Sequence, residues 1–210
     1  MFDLSQYQEE LLRLHHHICP RQVLGLRMGE LAGQLLGIAL PQTDKRLVAF
    51  VETDGCFADG VMVATGCSLG HRTMRLQDYG KIAVTIVDTE SSSQRAFRIW
   101  PHAMARSKAG DYAETEKSRW HTQLAAYQVM PTEELLCAHP VELTVSMSVI
   151  ISRHGVRVTC ATCGEEIINQ REALCGSQIL CRACADESTY YRPSETSGSA
   201  ASVEPPVKTH

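Results

Sequence analysis

The sequence contains no stretch of about 18 residues free of charge, no apolar run of signal-peptide length near its start, and no surplus of positive charge. The first absence argues against a membrane-crossing helix. The second leads to the expectation of a cytoplasmic protein. The third follows from 20 Lys plus Arg against 24 Asp plus Glu, a net charge of -4, which provides no basic field to draw in nucleic acid or an anionic membrane. Small molecules and other proteins are the expected partners. A disulfide framework is also missing: the 9 cysteines are odd in number, and several stand in C-x-x-C pairs, a pattern of reduced thiols used for metal binding or reactivity.

With 210 residues, the chain can bury one real core and carry a small appendage. Residues 4–14 read as a short amphipathic helix leading into three histidines. Pro20 suits the first turn of a second helix, in which Leu24, Met28, Leu31 and Leu35 recur up to Gly37. Gly25, Gly29, Gly33 and Gly37 also recur at every fourth residue of this helix, at a cost of about 0.5–1 kcal/mol for each internal glycine. Such a ridge implies close approach of another backbone. The charges at Arg27 and Glu30 exclude a membrane dimer motif.

Runs at 47–52, 61–65, 82–87 and 96–100 read as strands, and 111–137 as helical, with a helix start at Pro131-Thr132-Glu133-Glu134. From Val141 to Ile151 apolar and polar residues alternate with a period of two, the pattern of a half-exposed strand. Because helices and strands do not alternate as βαβ units, the expected class is α+β, a mixed sheet with packed helices. The core domain is expected over 1–158, a small module over 159–191, and a disordered tail over 192–210, where apolar residues are too few to offset ordering entropy.

In the small module, Cys160 and Cys163 form one C-x-x-C pair and Cys181 and Cys184 another, at the spacing of a four-cysteine zinc site. Zinc takes four thiolates at about 2.3 Å in a tetrahedron, and a site so closed is structural. Cys175 lies between the pairs at the wrong spacing for a knuckle. Arg153, Arg157, Arg171, Arg182 and Arg192 are balanced by Glu165, Glu166, Glu172, Asp186 and Glu187, so no basic face for nucleic acid is evident. The stretch resembles the zinc fingers of the DksA/TraR family of RNA-polymerase-binding regulators.

Cys19, Cys56 and Cys67 stand apart, in the contexts LHHHICP, ETDGCFAD and ATGCSLGH. His17 and Cys19, two residues apart in an extended segment, would face the same side and form half of a site for zinc or another borderline divalent ion, which Cys56 or Cys67 would complete. Cys67 follows Gly66, and Ser68 reads as a helix start that would lower its pKa. Lys81 would stabilise a thiolate or an anionic substrate if it reached the cleft. Asp54 and Asp59 flank Cys56; either would orient a ligating histidine or serve as a general base beside a metal-bound water.

These motifs, together with the Asp78-Tyr79-Gly80-Lys81 segment, resemble the FmdE family, named from the operons of formylmethanofuran dehydrogenase. The resemblance covers roughly residues 10–150. It implies an α+β core with a cleft lined by the histidine and cysteine motifs, a homodimer, and an association with molybdenum or tungsten enzymes of one-carbon metabolism. It also marks His15 as a further ligand or acid/base. Two positions depart from the family pattern: His16 and Arg21 stand where it has glycine, so the turn at the site entrance carries a bulky cation.

Two functions follow. In the first, a metal-site protein, accessory or enzymatic, handles a small ligand in a cleft of His17, Cys19, Cys56 and Cys67, with Lys81 and Asp59 assisting. In the second, the finger contacts a protein partner and the core is a dimeric, ligand-sensing scaffold.

Overall fold

The computed structural model describes residues 2–91, 95–113, 118–151, 155–185 and 189–191. The tail at 192–210 lies outside the described residues, as do Arg153, Asp186, Glu187 and Arg192 of the finger's charge balance. The chain divides into two compact units, Met1–Ile151 and Ser152–His210.

The first unit begins with a 3-10 turn (Leu4–Gln6) and the helices α1 (Gln8–Leu14) and α2 (Pro20–Leu36). Pro20 opens α2, and Gly37 closes it at φ 69. Then come β1 (Leu47–Val51), α3 (Cys56–Thr65), β2 (Met74–Leu76), β3 (Val84–Asp88), β4 (Ala96–Pro101), α4 (Ala105–Tyr112), α5 (Arg119–Val129), α6 (Thr132–Leu135), β5 (Leu136–Pro140) and α7 (Met147–Ile150). The five strands form one sheet in the order β2-β1-β3-β4-β5. Only the β1–β2 pair is parallel. A mixed sheet with packed helices is the α+β architecture that the sequence implied.

All five residues of β1 are buried, because both faces of the sheet are covered. Leu47, Ala49 and Val51 pack with Val23, Met28 and Phe57 of the helices, whereas Val48 and Phe50 pack on the other face with Val87, Ala96 and Met147. This second layer explains why residues 141–151 are not the expected strand. Val141, Leu143 and Ile150 lie against the far side of the sheet, and α7 occupies Met147–Ile150. The alternation reflects partial burial over a sheet face and not pairing within the sheet.

The expected strand at 61–65 is instead the second half of α3. Val61, Val63 and Ala64 are all buried, so the run is apolar on every side and carries no helical period to read. The same helix accounts for the first two glycines of the α2 ridge, while Gly33 faces Ile38 and Leu40. A Cβ on Gly25 would strike the Phe57 carbonyl and come within 2.8 Å of the Val61 nitrogen; one on Gly29 would strike Ala64; one on Gly60 would strike the Gln22 carbonyl. The pairings 22 with 60, 25 with 57 and 61, and 29 with 64 advance together, so α2 and α3 run parallel, backbone against backbone. Both N-termini therefore lie at the same end of the pair.

Arg27, the charge that interrupts the ridge, is buried and points away from α3. Its guanidinium donates to the carbonyls of Tyr127 (2.8 Å) and Met130 (2.9 Å), tying α2 to the end of α5. Buried charge is tolerated when its donors are used in this way.

The second unit holds two hairpin-like pairs, β6 (Arg157–Thr159) with β7 (Glu166–Ile168) and β8 (Ala173–Cys175) with β9 (Gln178–Leu180), followed by the short α8 (Arg182–Ala185). Residue 158, where the sequence places the end of the core, thus lies inside β6, and β6 pairs with the module's β7.

Candidate metal centre and cleft

In the second unit, Cys160 directly follows β6 and Cys181 directly follows β9, while Cys163 lies in the turn before Gly164 (φ 75) and Cys184 lies on α8. Strand pairing brings the two C-x-x-C turns together, and the four Sγ atoms all lie within 4.8 Å of one another. Cys163 and Cys181 are 4.0 Å apart, sulfur to sulfur. That spacing suits four sulfurs around one tetrahedral ion, so the residues present fit a bound metal. The amides of Cys181 and Cys184 donate to the sulfurs of Cys160 (3.2 Å) and Cys181 (3.3 Å). Amide donation, first from Cys163 and then from Cys181, pulls the Cys160 thiol down to about 6. Cys175 is exposed at the end of β8 and is not part of the cluster.

In the first unit, the extended segment between α1 and α2 carries His15, His17 and Cys19. Cys19 is the N-cap of α2, with φ -118 and ψ 161, and the Gln22 side chain reaches back to its amide at 2.8 Å. The Gln22 Nε2 is buried and has no partner. Cys56 is the first residue of α3, placed there by Gly55 at φ 79. Because the helices are parallel, both cysteines arrive together on the wall of one cavity, close enough for each to act on the other. Burial, followed by the adjacent Cys19, pushes the Cys56 thiol above the usual thiol range despite its place at a helix start.

His17, Cys19 and Cys56 line one cavity of about 660 Å³, walled also by Arg21, Leu24, Ile82, His102, Arg106, Trp120 and Tyr127. The His17 ring is 6.4 Å from Trp120 of α5 and 6.3 Å from His15. His15 itself is held by Asp59, Nε2 to Oδ2 at 2.5 Å. Asp59 lies one helical turn beyond Cys56, so it fixes the histidine beside the cleft, as an orienting carboxylate does.

The structure brings His15, His17, Cys19, Cys56 and Asp59 into one neighbourhood, but not the other expected members. Cys67 is 1 % exposed within the main apolar core, its Sγ 3.5 Å from the Leu47 carbonyl. The residues before it end α3 at Gly66 (φ 78), and no helix starts at Ser68, so the expected helix N-terminus is in fact a helix C-terminus. Burial raises its pKa, the reverse of activation. Lys81 has an exposed side chain and is not part of the cavity wall. Its backbone serves the fold: the Glu52 carbonyl receives the amides of Tyr79 (3.0 Å) and Lys81 (3.1 Å), which pins the Asp-Tyr-Gly-Lys segment beside β1. Asp54 is exposed.

Four cavity residues have no motif to announce them. His102, Arg106, Trp120 and Tyr127 come from the end of β4 and from α4 and α5, and only tertiary packing brings them to the cysteines. Among the described residues, the four-cysteine cluster is the only group of three or more His, Cys, Asp or Glu gathered tightly enough to hold a metal.

The architecture defines a class: an α+β core with a cysteine- and histidine-lined cleft, followed by a module built around four sulfurs. The profile of the family described as FmdE, Molybdenum formylmethanofuran dehydrogenase operon, matches residues 14–137, more than half of the chain, and the chain belongs to that family. The finger lies outside the matched residues. A protein of Archaeoglobus fulgidus, described as a "Probable S-adenosyl-L-methionine-binding protein", is 41% identical over 96 residues, 41% of this chain and 26% of that protein. The chain thus spans about a quarter of the length of that curated relative. The crystal structure of a tungsten formylmethanofuran dehydrogenase FmdE-like protein from Syntrophus aciditrophicus superimposes with a TM-score of 0.58 and 21% identity, covering 89% of this chain and 94% of that one. That likeness shows a shared fold.

Proposed function

We propose that this is a metal-binding FmdE protein whose working site is the cleft at the paired N-termini of α2 and α3. It serves, as an accessory protein or an enzyme, molybdenum- or tungsten-dependent one-carbon metabolism of the formylmethanofuran dehydrogenase type. The carrying observation is that Cys19, Cys56 and His17 line the wall of one cavity of small-molecule size. Two thiolates and an imidazole suit zinc or another borderline divalent ion, and Cys19, Cys56 and His17 would hold it once drawn closer together than they stand here. Such an ion supplies Lewis acidity to a bound ligand. His15, oriented by Asp59, is the adjacent acid/base or a further ligand.

In this reading the four-cysteine module holds zinc as a closed structural site, resembling a DksA/TraR finger. The protein is a cytoplasmic homodimer, and a molybdenum or tungsten enzyme is its partner. The name of the archaeal relative adds S-adenosyl-L-methionine to the ligands worth assaying. Among the described residues the cavity wall offers an aromatic face in Trp120 but no carboxylate for that molecule's sulfonium and ammonium groups.

Elemental analysis of purified protein tests the reading. Wild type should carry two metal equivalents per chain, Cys160→Ser/Cys163→Ser protein one, and Cys19→Ser/Cys56→Ser protein the other. A single equivalent in wild type and none in the finger variant would overturn the metal cleft.

A further inference from the structure

The cavity's charge is opposite in sign to that of the chain. The whole sequence has a net charge of -4, yet Arg21, Arg106, His17 and His102 line this cavity and, among the described residues, no aspartate or glutamate does. Among the described residues, no carboxylate lies within ion-pair distance of Arg21 or Arg106. Arg106 and Tyr127 are both wall residues, near enough for the guanidinium's charge to reach the phenol. Arg21 is the residue after Pro20, at the start of α2. Apart from the two thiols and the Gln123 amide, the rest of the wall is apolar or aromatic, with Leu24, Ile82 and Trp120.

Guanidinium groups with no fixed carboxylate partner, set over an apolar cavity and beside two helix starts, are matched by an oxyanion on an apolar body. We propose that the cavity binds a small organic oxyanion, a carboxylate or phosphate ester, with its charge held by Arg21 and Arg106 and its apolar or flat part lying against Trp120. This rests on the reading of the cleft as the working site, and it assigns that site's ligand class. With glycine at position 21, half of the clamp would be gone.

Three probes of similar shape separate charge from shape: benzoate, phenyl phosphate and neutral benzamide. Binding is followed by tryptophan fluorescence, with Trp120→Phe assigning the signal against Trp100, and metal content is measured on every sample. Wild type should bind benzoate or phenyl phosphate at least about ten-fold more tightly than benzamide, the stronger of the two identifying a carboxylate or a phosphate ligand. Arg21→Gly and Arg106→Gln should each cut that preference several-fold, Arg106→Lys should restore part of it, and Lys81→Ala should leave it within about two-fold. Melting curves confirm that each variant is folded.

Equal affinity for all three probes, no binding of any up to about 10 mM, or an anion preference unchanged by both arginine substitutions would overturn the proposal. Failure of the metal reading looks different. Wild type would then lack the second metal equivalent yet keep an arginine-dependent anion preference. Conversely, a protein with two equivalents and no anion preference retains the metal cleft and loses this inference.

Discussion

In the C-terminal module four thiols converge to within 4.8 Å of one another, whereas in the core two thiols meet at the edge of a cavity and a third, Cys67, is sealed in apolar packing. The same side chain thus serves three ends, decided by what surrounds it. Strand-end turns and the short α8 hold the four sulfurs of the module, where amides donate to sulfur. Helix starts hold the pair in the core, where space for a ligand remains. Cys67 follows a helix end, its thiol directed at a backbone carbonyl, and acts as a small apolar residue.

The comparison can be broken most forcefully at the finger. Structural four-cysteine sites carry apparent metal-binding energies of about 10 kcal/mol or more, most of the folding energy of so small a unit. Cys160→Ser/Cys163→Ser should therefore make residues beyond 151 sensitive to trypsin while the core keeps its melting transition. Loss of the core transition as well would mean that the two units do not fold separately.

A smaller effect is expected from Gly60→Val, which places carbon against the Gln22 carbonyl and wedges α3 from α2. Overpacking of this kind costs about 1–3 kcal/mol, read by urea denaturation, and it should disturb metal in the cleft while sparing the finger. Cys67→Ala should cost about 1–2 kcal/mol through a small core cavity and leave the metal content of both sites unchanged. A drop in metal would return Cys67 to the working site.

The mildest probe is alkylation. A raised pKa means less thiolate at any pH below it, and each unit lowers the thiolate fraction roughly ten-fold. Cys56 in metal-free protein should therefore react with iodoacetamide several-fold more slowly than exposed Cys175 at pH 7, the gap narrowing as pH rises above about 9. Peptide mass spectrometry across that range reads it, and equal rates at pH 7 would place Cys56 in a more exposed setting than the cavity wall.

What can be read from the sequence divides along the same line. Local chemistry is visible: the C-x-x-C pairs, Pro20 and Gly37 at the ends of α2, the strands near 47, 82 and 96, and the pairing of His17 with Cys19. Features set by burial on all sides are not. The apolar second half of α3 reads as a strand, and residues 141–151 alternate because they lie across a sheet face. The strand β5 begins in the last two residues of a stretch of helical composition and runs on past its end. At the site, Arg106 and Trp120 carry no signal of their own, since their role depends on how α4 and α5 settle beside α2.

The glycine contact between α2 and α3 also acts as a ruler. Each residue along a helix advances about 1.5 Å, so the fixed points at Gly25 and Gly60 set, from a turn or two away, how far apart the two sulfurs stand. The gap between Cys19 and Cys56 can then be widened or narrowed by residues that never touch the cavity. A transplant of this dithiol to another scaffold would have to bring both helices with it, because the dimension that matters is written where side chains are absent.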